Sequence, residues 1–123
     1  MDTNRLTLYA GGSPGRMGLQ LRGPCATIAD AQELEQRLRR LLSTGITILW
    51  IDCRQLSYLN RTGQRALLNT ERYARTVGAT LFWCGLTNSV LEELRSYGMH
   101  LLMRILPATS YMGPVEFLRT PLH

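Results

Sequence analysis

The apolar positions of the chain change period several times. Leu6, Leu8 and Ala10 alternate with Thr7 and Tyr9, and Met17, Leu19 and Leu21 alternate against Gln20 and Arg22. Period-two alternation marks half-buried strands. The turn-forming run Gly11-Gly-Ser-Pro-Gly15 between them predicts a β-hairpin. Gly23-Pro24 is expected to stop the second strand, because proline cannot donate to a ladder. The period then lengthens. Ala31, Leu34, Leu38, Leu41 and Leu42 share one face of a helix that starts at Thr27 or Asp30. Asp30 and Glu33 supply capping spacing and negative charge at the positive end of the helix dipole. Arg37, Arg39 and Arg40 load the opposite end, and Gly45 stops it.

Ile46-Thr-Ile-Leu-Trp-Ile51 is an unbroken apolar and β-branched run that reaches its first charge at Asp52. It predicts a central strand buried on both faces, with Ile48→Asp costing several kcal/mol. The chain is expected to leave the sheet through Asp52–Gln55, pass a second apolar cluster of Leu56, Tyr58 and Leu59, and reach Asn60-Arg-Thr-Gly63. A helix over Thr62–Val77 follows, with Gly63, Ala66, Leu67, Thr70, Tyr73, Ala74 and Val77 inward. Thr80–Cys84 predicts a strand. Asn88 caps a helix to about Tyr97 with Val90, Leu91 and Leu94 inward and Gly98 closing. Leu101–Leu106 predicts a last strand ended by Pro107, and a short helix is expected around Val115–Arg119. The order β-β-α-β-α-β-α-β implies an α/β domain with a mixed, mainly parallel sheet.

At 123 residues the chain has room for one core. No run of ~18 apolar residues suggests a membrane span, and the N-terminal residues lack the pattern of a secretory signal, so the expected compartment is the cytoplasm. All 14 basic residues are Arg and the net charge is +5. That excess admits an acidic protein, nucleic acid or an anionic membrane surface as partner. The arginines are dispersed and not interleaved with aromatics, which disfavours nucleic acid. Three cysteines without a CxxC spacing read as buried reduced thiols, and with two histidines they make no convincing zinc set. Asp52 has no second carboxylate or histidine near it in sequence, so it reads as an acceptor for loop amides. Paired catalytic groups are missing, and no enzyme, metal or cofactor is expected.

The pattern strand–Asp–apolar cluster–polar–x–Thr–Gly–helix–Gly–strand–Gly–helix–Gly resembles the STAS domain. It is carried here by Ile48 to Asp52, Leu56 to Leu59, Asn60-Arg61-Thr62-Gly63, Gly78 with Leu81, Gly85 and Gly98, and by Leu19-Gln-Leu-Arg-Gly23 early in the chain. The resemblance spans about Leu6 to Leu106, leaving 107–123 as a tail or short helix of a single domain over 1–123. It implies a sheet of four or five strands with three or four helices packed on one face. It also implies a non-enzymatic bacterial regulator of the anti-sigma factor antagonist type, which binds an anti-sigma factor or serine kinase by partner switching in transcription regulation. A homodimer is compatible with it. A STAS accessory subunit of a lipid-transporting ABC complex and a small nucleotide-binding α/β domain are the alternatives.

The family's phosphoacceptor lies in Asp-Ser-Ser/Thr-Gly at the start of the second helix. Here the Asp is Asn60 and the usual acceptor is Arg61; Thr62 and Gly63 remain, and Thr62 is the one local hydroxyl for phosphorylation. Opposite the buried face of this helix, Arg61, Arg65, Leu68, Arg72 and Arg75 form a row. It reads either as a solvated helix face, with Glu71 partly compensating, or as a docking surface for an acidic partner. The expected partner-binding residues are Asn60, Arg61, Thr62, Gly63, Arg65, Leu68 and Arg72.

Overall fold

The structure, a computed structural model, describes residues 5–13 and 15–114. The elements run β1 (Thr7–Gly11), β2 (Gly18–Cys25), α1 (Ile28–Leu42), β3 (Ile48–Leu59), α2 (Arg61–Thr76), β4 (Thr80–Cys84), α3 (Asn88–Ser96) and β5 (Arg104–Leu106), with 3₁₀ turns at Met99–Leu102 and Ala108–Ser110. The helix expected around Val115–Arg119 lies outside the described residues. The five strands lie in the order β1-β2-β3-β4-β5. β1 pairs antiparallel with β2, and every later pair is parallel. Each parallel connection moves one strand in the same direction. Right-handed crossovers therefore put all three helices on one face.

Alternation along the strands separates the two faces. Leu19, Leu21, Leu49, Ile51, Leu81 and Trp83 are fully buried under the helices, against Leu34 and Leu38 of α1, Leu67 of α2 and Leu94 of α3. The opposite face carries Tyr9, Ile48, the Trp50–Phe82 stack with ring centroids 4.5 Å apart, and a polar group around Asp52. The chain after β5 returns across this second face. Gly18 makes room for it: a Cβ there would stand 2.5 Å from both the Tyr111 hydroxyl and Pro114. Arg16 Nε adds a 3.4 Å bond to the carbonyl of Met112.

Several sequence expectations are corrected. The run at Ile46 gives a strand that starts at Ile48 and is central, but it is not buried on both faces. Ile48 points to the second face and is 41% exposed, so it is the wrong residue for a burial test. The strand also does not leave the sheet at Asp52. It continues to Leu59, paired with β2 throughout, because Asp52 finds partners within the sheet. Its carboxylate accepts from the Arg54 amide (3.1 Å), Arg54 Nε (2.9 Å), Arg54 Nη2 (2.8 Å) and Gln20 Nε2 (3.0 Å). Residues i and i+2 share a strand face, so an Asp-x-Arg pair satisfies itself without a loop. Likewise β2 runs through Pro24 to Cys25. Register shifts between Gln20 and Arg22 and between Gly23 and Pro24 put the missing donor at an irregular part of the ladder. β5 is shorter than expected, since Met99–Leu102 forms a 3₁₀ turn that buries Met99. The cap of α3 is Thr87, whose hydroxyl accepts from Val90 N at 3.3 Å, and Leu91 is half-buried.

Thr27 caps α1. Its hydroxyl accepts from Asp30 N at 3.0 Å, and Asp30 accepts back from Thr27 N at 3.4 Å. Asp30 also accepts from Leu6 N at 3.1 Å and Ala26 N at 3.3 Å, which ties the start of β1 to α1. The three thiols are buried and free. Desolvation, with smaller help from nearby carboxylates, pushes Cys25 up to about 12 and Cys84 to about 11, so neither is a thiolate near neutrality.

Two predictions follow from this packing. Ile51→Asp should destabilise by about 4 kcal/mol or more, because it puts an unpaired carboxylate under the helices, whereas Ile48→Asp should cost under about 1 kcal/mol. Urea unfolding of both variants checks the assignment of faces, and equal losses would refute it. The second concerns acid. Burial raises the carboxyls of Asp52 and Asp30, but their hydrogen bonds outweigh it. For Asp52 the Arg54 side chain leads, then the Arg54 amide and Gln20; for Asp30 the amides of Leu6 and Ala26 lead, then Thr27. Both end below the ordinary carboxylate value. A depressed folded value contributes stability that is present above about pH 4 and is lost as pH falls towards the folded value. Unfolding free energy should therefore fall between about pH 5 and pH 3, and Asp30→Asn should flatten that slope.

Candidate functional site

The end of β3 delivers the chain to the first turn of α2. Asn60 is the cap, and its side chain works in two directions. Oδ1 accepts from Gly63 N at 3.0 Å, and Nδ2 donates to the carbonyl of Ala26 at 2.9 Å, on the loop between β2 and α1. Gly63 sits directly against the carbonyl of Cys25 and the Leu59 side chain, where no Cβ has room. Absence of a side chain, not an unusual dihedral, is what this position needs. The two contacts fix the start of α2 to the ends of β2 and β3. The backbone carbonyl of Asn60 takes Gln64 N at 2.8 Å, so the amides of Arg61 and Thr62 are left at the tip with no acceptor among the described residues.

The charge at this tip runs against the helix dipole. α1 has Asp30 in its first turn and Arg39 and Arg40 in its last. α2 has no acid in its first turn; Arg61 stands there and Arg65 one turn on. Cations at a helix N-terminus cost a few tenths of a kcal/mol each. Arg61 recovers part of this by stacking its guanidinium over Tyr97 of the α3 C-terminus, 4.9 Å from the ring centroid.

The expected row is thus modified. Arg61, Arg65, Arg72 and Arg75 are all exposed, but they are not equivalent. Arg75 Nη2 donates to the Leu102 carbonyl at 2.7 Å, and its Nε lies 3.8 Å from Glu71. Arg65 and Arg72 have no hydrogen bond or ion pair among the described residues. Leu68 is half-buried, not an exposed contact. Glu71 compensates the surface row only at Arg75 and is otherwise turned to the core. It is 2% exposed and accepts from Trp83 Nε1 at 2.7 Å, joining α2 to β4. Val77 lies past the helix end and is exposed, while Gln64 is buried although polar.

Arg61 and Arg65 form a ridge between two clefts. On the α3 side, Gln64, Leu68, Tyr97 and Met99 complete a cleft of about 130 Å³. On the α1 side, Ile28, Gln32, Glu35, Thr62 and Asn69 line a broader one of about 380 Å³. Thr62 is half-buried at the rim of the latter. Ile28, in the first turn of α1, is 71% exposed beside it. The structure therefore brings together Asn60, Arg61, Thr62, Gly63, Arg65 and Leu68, with Arg72 two turns along the same helix. Pattern reading did not find Gln64, Tyr97, Met99 and Ile28. For Ile28 the available signal is an apolar residue at the first position after the Thr27 cap, ahead of the buried face that starts at Asp30 and Ala31. The others meet only through the packing of α3 on α2.

Among the described residues no group of three or more His, Cys, Asp or Glu could hold a metal ion. No helix among them is long and apolar enough to cross a membrane.

The sequence model of the family described as the STAS domain matches residues 12–110. No curated protein sequence matches the chain. Among solved structures, an anti-sigma factor antagonist from Mycobacterium paratuberculosis is similar at 14% identity and TM-score 0.71, over 84% of this chain and 86% of that one. The Bacillus cell fate determinant SpoIIAA in its phosphorylated form is similar at 13% identity and TM-score 0.63, over 85% and 92%. A sulfate transporter family protein from Wolinella succinogenes gives 18% identity and TM-score 0.59, over 72% and 74%. At these identities the neighbours speak for the fold, and the family match covers most of the chain. The strand order and the matched residues agree: the chain belongs to the STAS domain family.

Proposed function

We propose that this STAS domain is a non-enzymatic protein-binding regulator of the anti-sigma factor antagonist type. It engages an anti-sigma factor or a related serine kinase through the Asn60–Gly63 turn and the exposed side of α2. One observation carries the reading. Arg65 and Arg72 project from a rigidly capped helix with no ion-pair partner among the described residues, and Arg61 stands at an N-terminus whose dipole disfavours it. Positions that break a local stability rule are expected at functional sites. Arginine suits this use, since its planar fork binds carboxylates in pairs of hydrogen bonds at interfaces.

In this reading the phosphorylation switch is degenerate. Fixed positive charge at Arg61 replaces a hydroxyl that could alternate between neutral and anionic. The domain then binds constitutively, and its regulation comes from partner abundance. Neighbours that include a sulfate transporter family protein keep the transporter-associated role as the second reading. It predicts capture of membrane transport subunits in place of a soluble kinase.

Two outcomes are expected. Arg65→Glu with Arg72→Glu should weaken partner binding at least about tenfold and leave the melting temperature within a few degrees of wild type. Wild-type affinity should fall with salt, mainly through slower association. Surface plasmon resonance against the captured partner reads both, and unchanged affinity in the double variant would mean that the arginines are only a solvated face. For the switch, phosphopeptide mapping after incubation with the partner kinase should find residues 60–63 unmodified in wild type and a new phosphate in Arg61→Ser. Stoichiometric phosphate on wild-type Thr62 would contradict the loss of the switch.

A further inference from the structure

The cleft between α2 and α3 is lined by a residue whose buried amide nitrogen has no acceptor among the described residues. The residue is Gln64, 3% exposed, and the nitrogen is its Nε2. A buried donor left unpaired destabilises the fold by its desolvation cost. Leu or Met would serve a helix as well as Gln at such a position. Gln64 lines the cleft of about 130 Å³ together with Arg61, Arg65, Leu68, Tyr97 and Met99. Every charged group around this space is a cation and no carboxylate lines it.

We infer that this cleft is the anchor pocket for a single carboxylate side chain of the protein that docks on α2, an inference that rests on the docking role proposed above. The Gln64 amide donates to one carboxylate oxygen at the bottom of the cleft. Arg61 and Arg65 close over the other from the ridge. Leu68 and Met99 pack against the methylene stem. Size restricts the occupant: ~300–1,000 Å³ is usual for cofactor and small-molecule sites. The cleft therefore suits one side chain and not a nucleotide. Stacking on Tyr97 holds the Arg61 guanidinium at the mouth before the partner arrives, which lowers the ordering cost of binding.

The test titrates ¹⁵N-labelled protein with acetyl-Ala-Leu-Glu-Leu-Ala-amide and with the same peptide carrying Gln in place of Glu. The Gln64 side-chain NH₂ signals are assigned by their loss in Gln64→Leu. The Glu peptide should shift them saturably, and the Gln peptide should bind at least about tenfold more weakly, since a charge-assisted bond is lost. Gln64→Leu should melt at or above the wild-type temperature while losing at least about tenfold in affinity for the Glu peptide. A merely structural amide would not show that combination. Equal responses to the two peptides, or a melting temperature several degrees lower in Gln64→Leu, would overturn the inference. If the Glu peptide shifts the signals of Arg65 and Arg72 and leaves Gln64 unmoved, the docking face stands and the anchor pocket falls. If no residue of α2 responds, both fall.

Discussion

Everything proposed for this domain depends on how closely the first turn of α2 approaches the end of β2. No side-chain atom can stand between Gly63 and the Cys25 carbonyl, and the Asn60 side chain bonds the α2 amide of Gly63 and the Ala26 carbonyl together. This seats α2 at a fixed depth and rotation. The seating in turn sets which residues meet α1 and α3. Asn69 reaches Glu35 at 3.1 Å, and Arg39 stacks over Tyr73 at 4.5 Å. On the buried side Glu71 receives the Trp83 indole. With the helix so constrained, the backbone positions that carry the outward arginines are defined. A side chain larger than hydrogen at residue 63 would displace the helix tip and the Arg61–Arg65 ridge together.

The two faces of the sheet are built by different means. The helix face is a continuous apolar core. The second face carries an aromatic stack and the Gln20–Asp52–Arg54 group, and residues after β5 lie back over part of it. An ion pair with one buried and one half-buried partner does not add much net stability, because desolvation of Asp52 offsets much of the attraction. Its consequence is geometric. It lets β3 continue past β4 and carry the chain to Asn60, at the edge where the first turn of α2 is exposed.

The element order and the core faces of α1 and α2 were legible because they rest on period and capping: Leu34 and Leu38, Ala66 and Leu67, Thr27 before Asp30. The errors occur where a polar residue is satisfied inside the fold. Asp52 looks like an exit from the sheet until Arg54 is placed beside it. Glu71 looks like a surface acid until Trp83 is placed beneath it. Pro24 looks like a stop until the ladder is allowed to slip. Ile48 was misassigned because an unbroken apolar run conceals which residues face the helices. Of the candidate site, Asn60–Gly63 and the arginines could be read along one helix. The cleft with Gln64 could not, since Tyr97 and Met99 come from an element ~30 residues later whose approach no local pattern encodes.

The central claim is that the exposed first turns of α2 are where this STAS domain meets its protein partner. Hydrogen exchange measured with and without the captured partner tests it most directly, because it reads every backbone amide without altering a residue. Protection should concentrate in residues 60–68 and spread to residues 97–102, with the amides of β1 and the Trp50–Phe82 face unchanged. Protection of that sheet face, with residues 60–68 exchanging as in the free protein, would contradict the account.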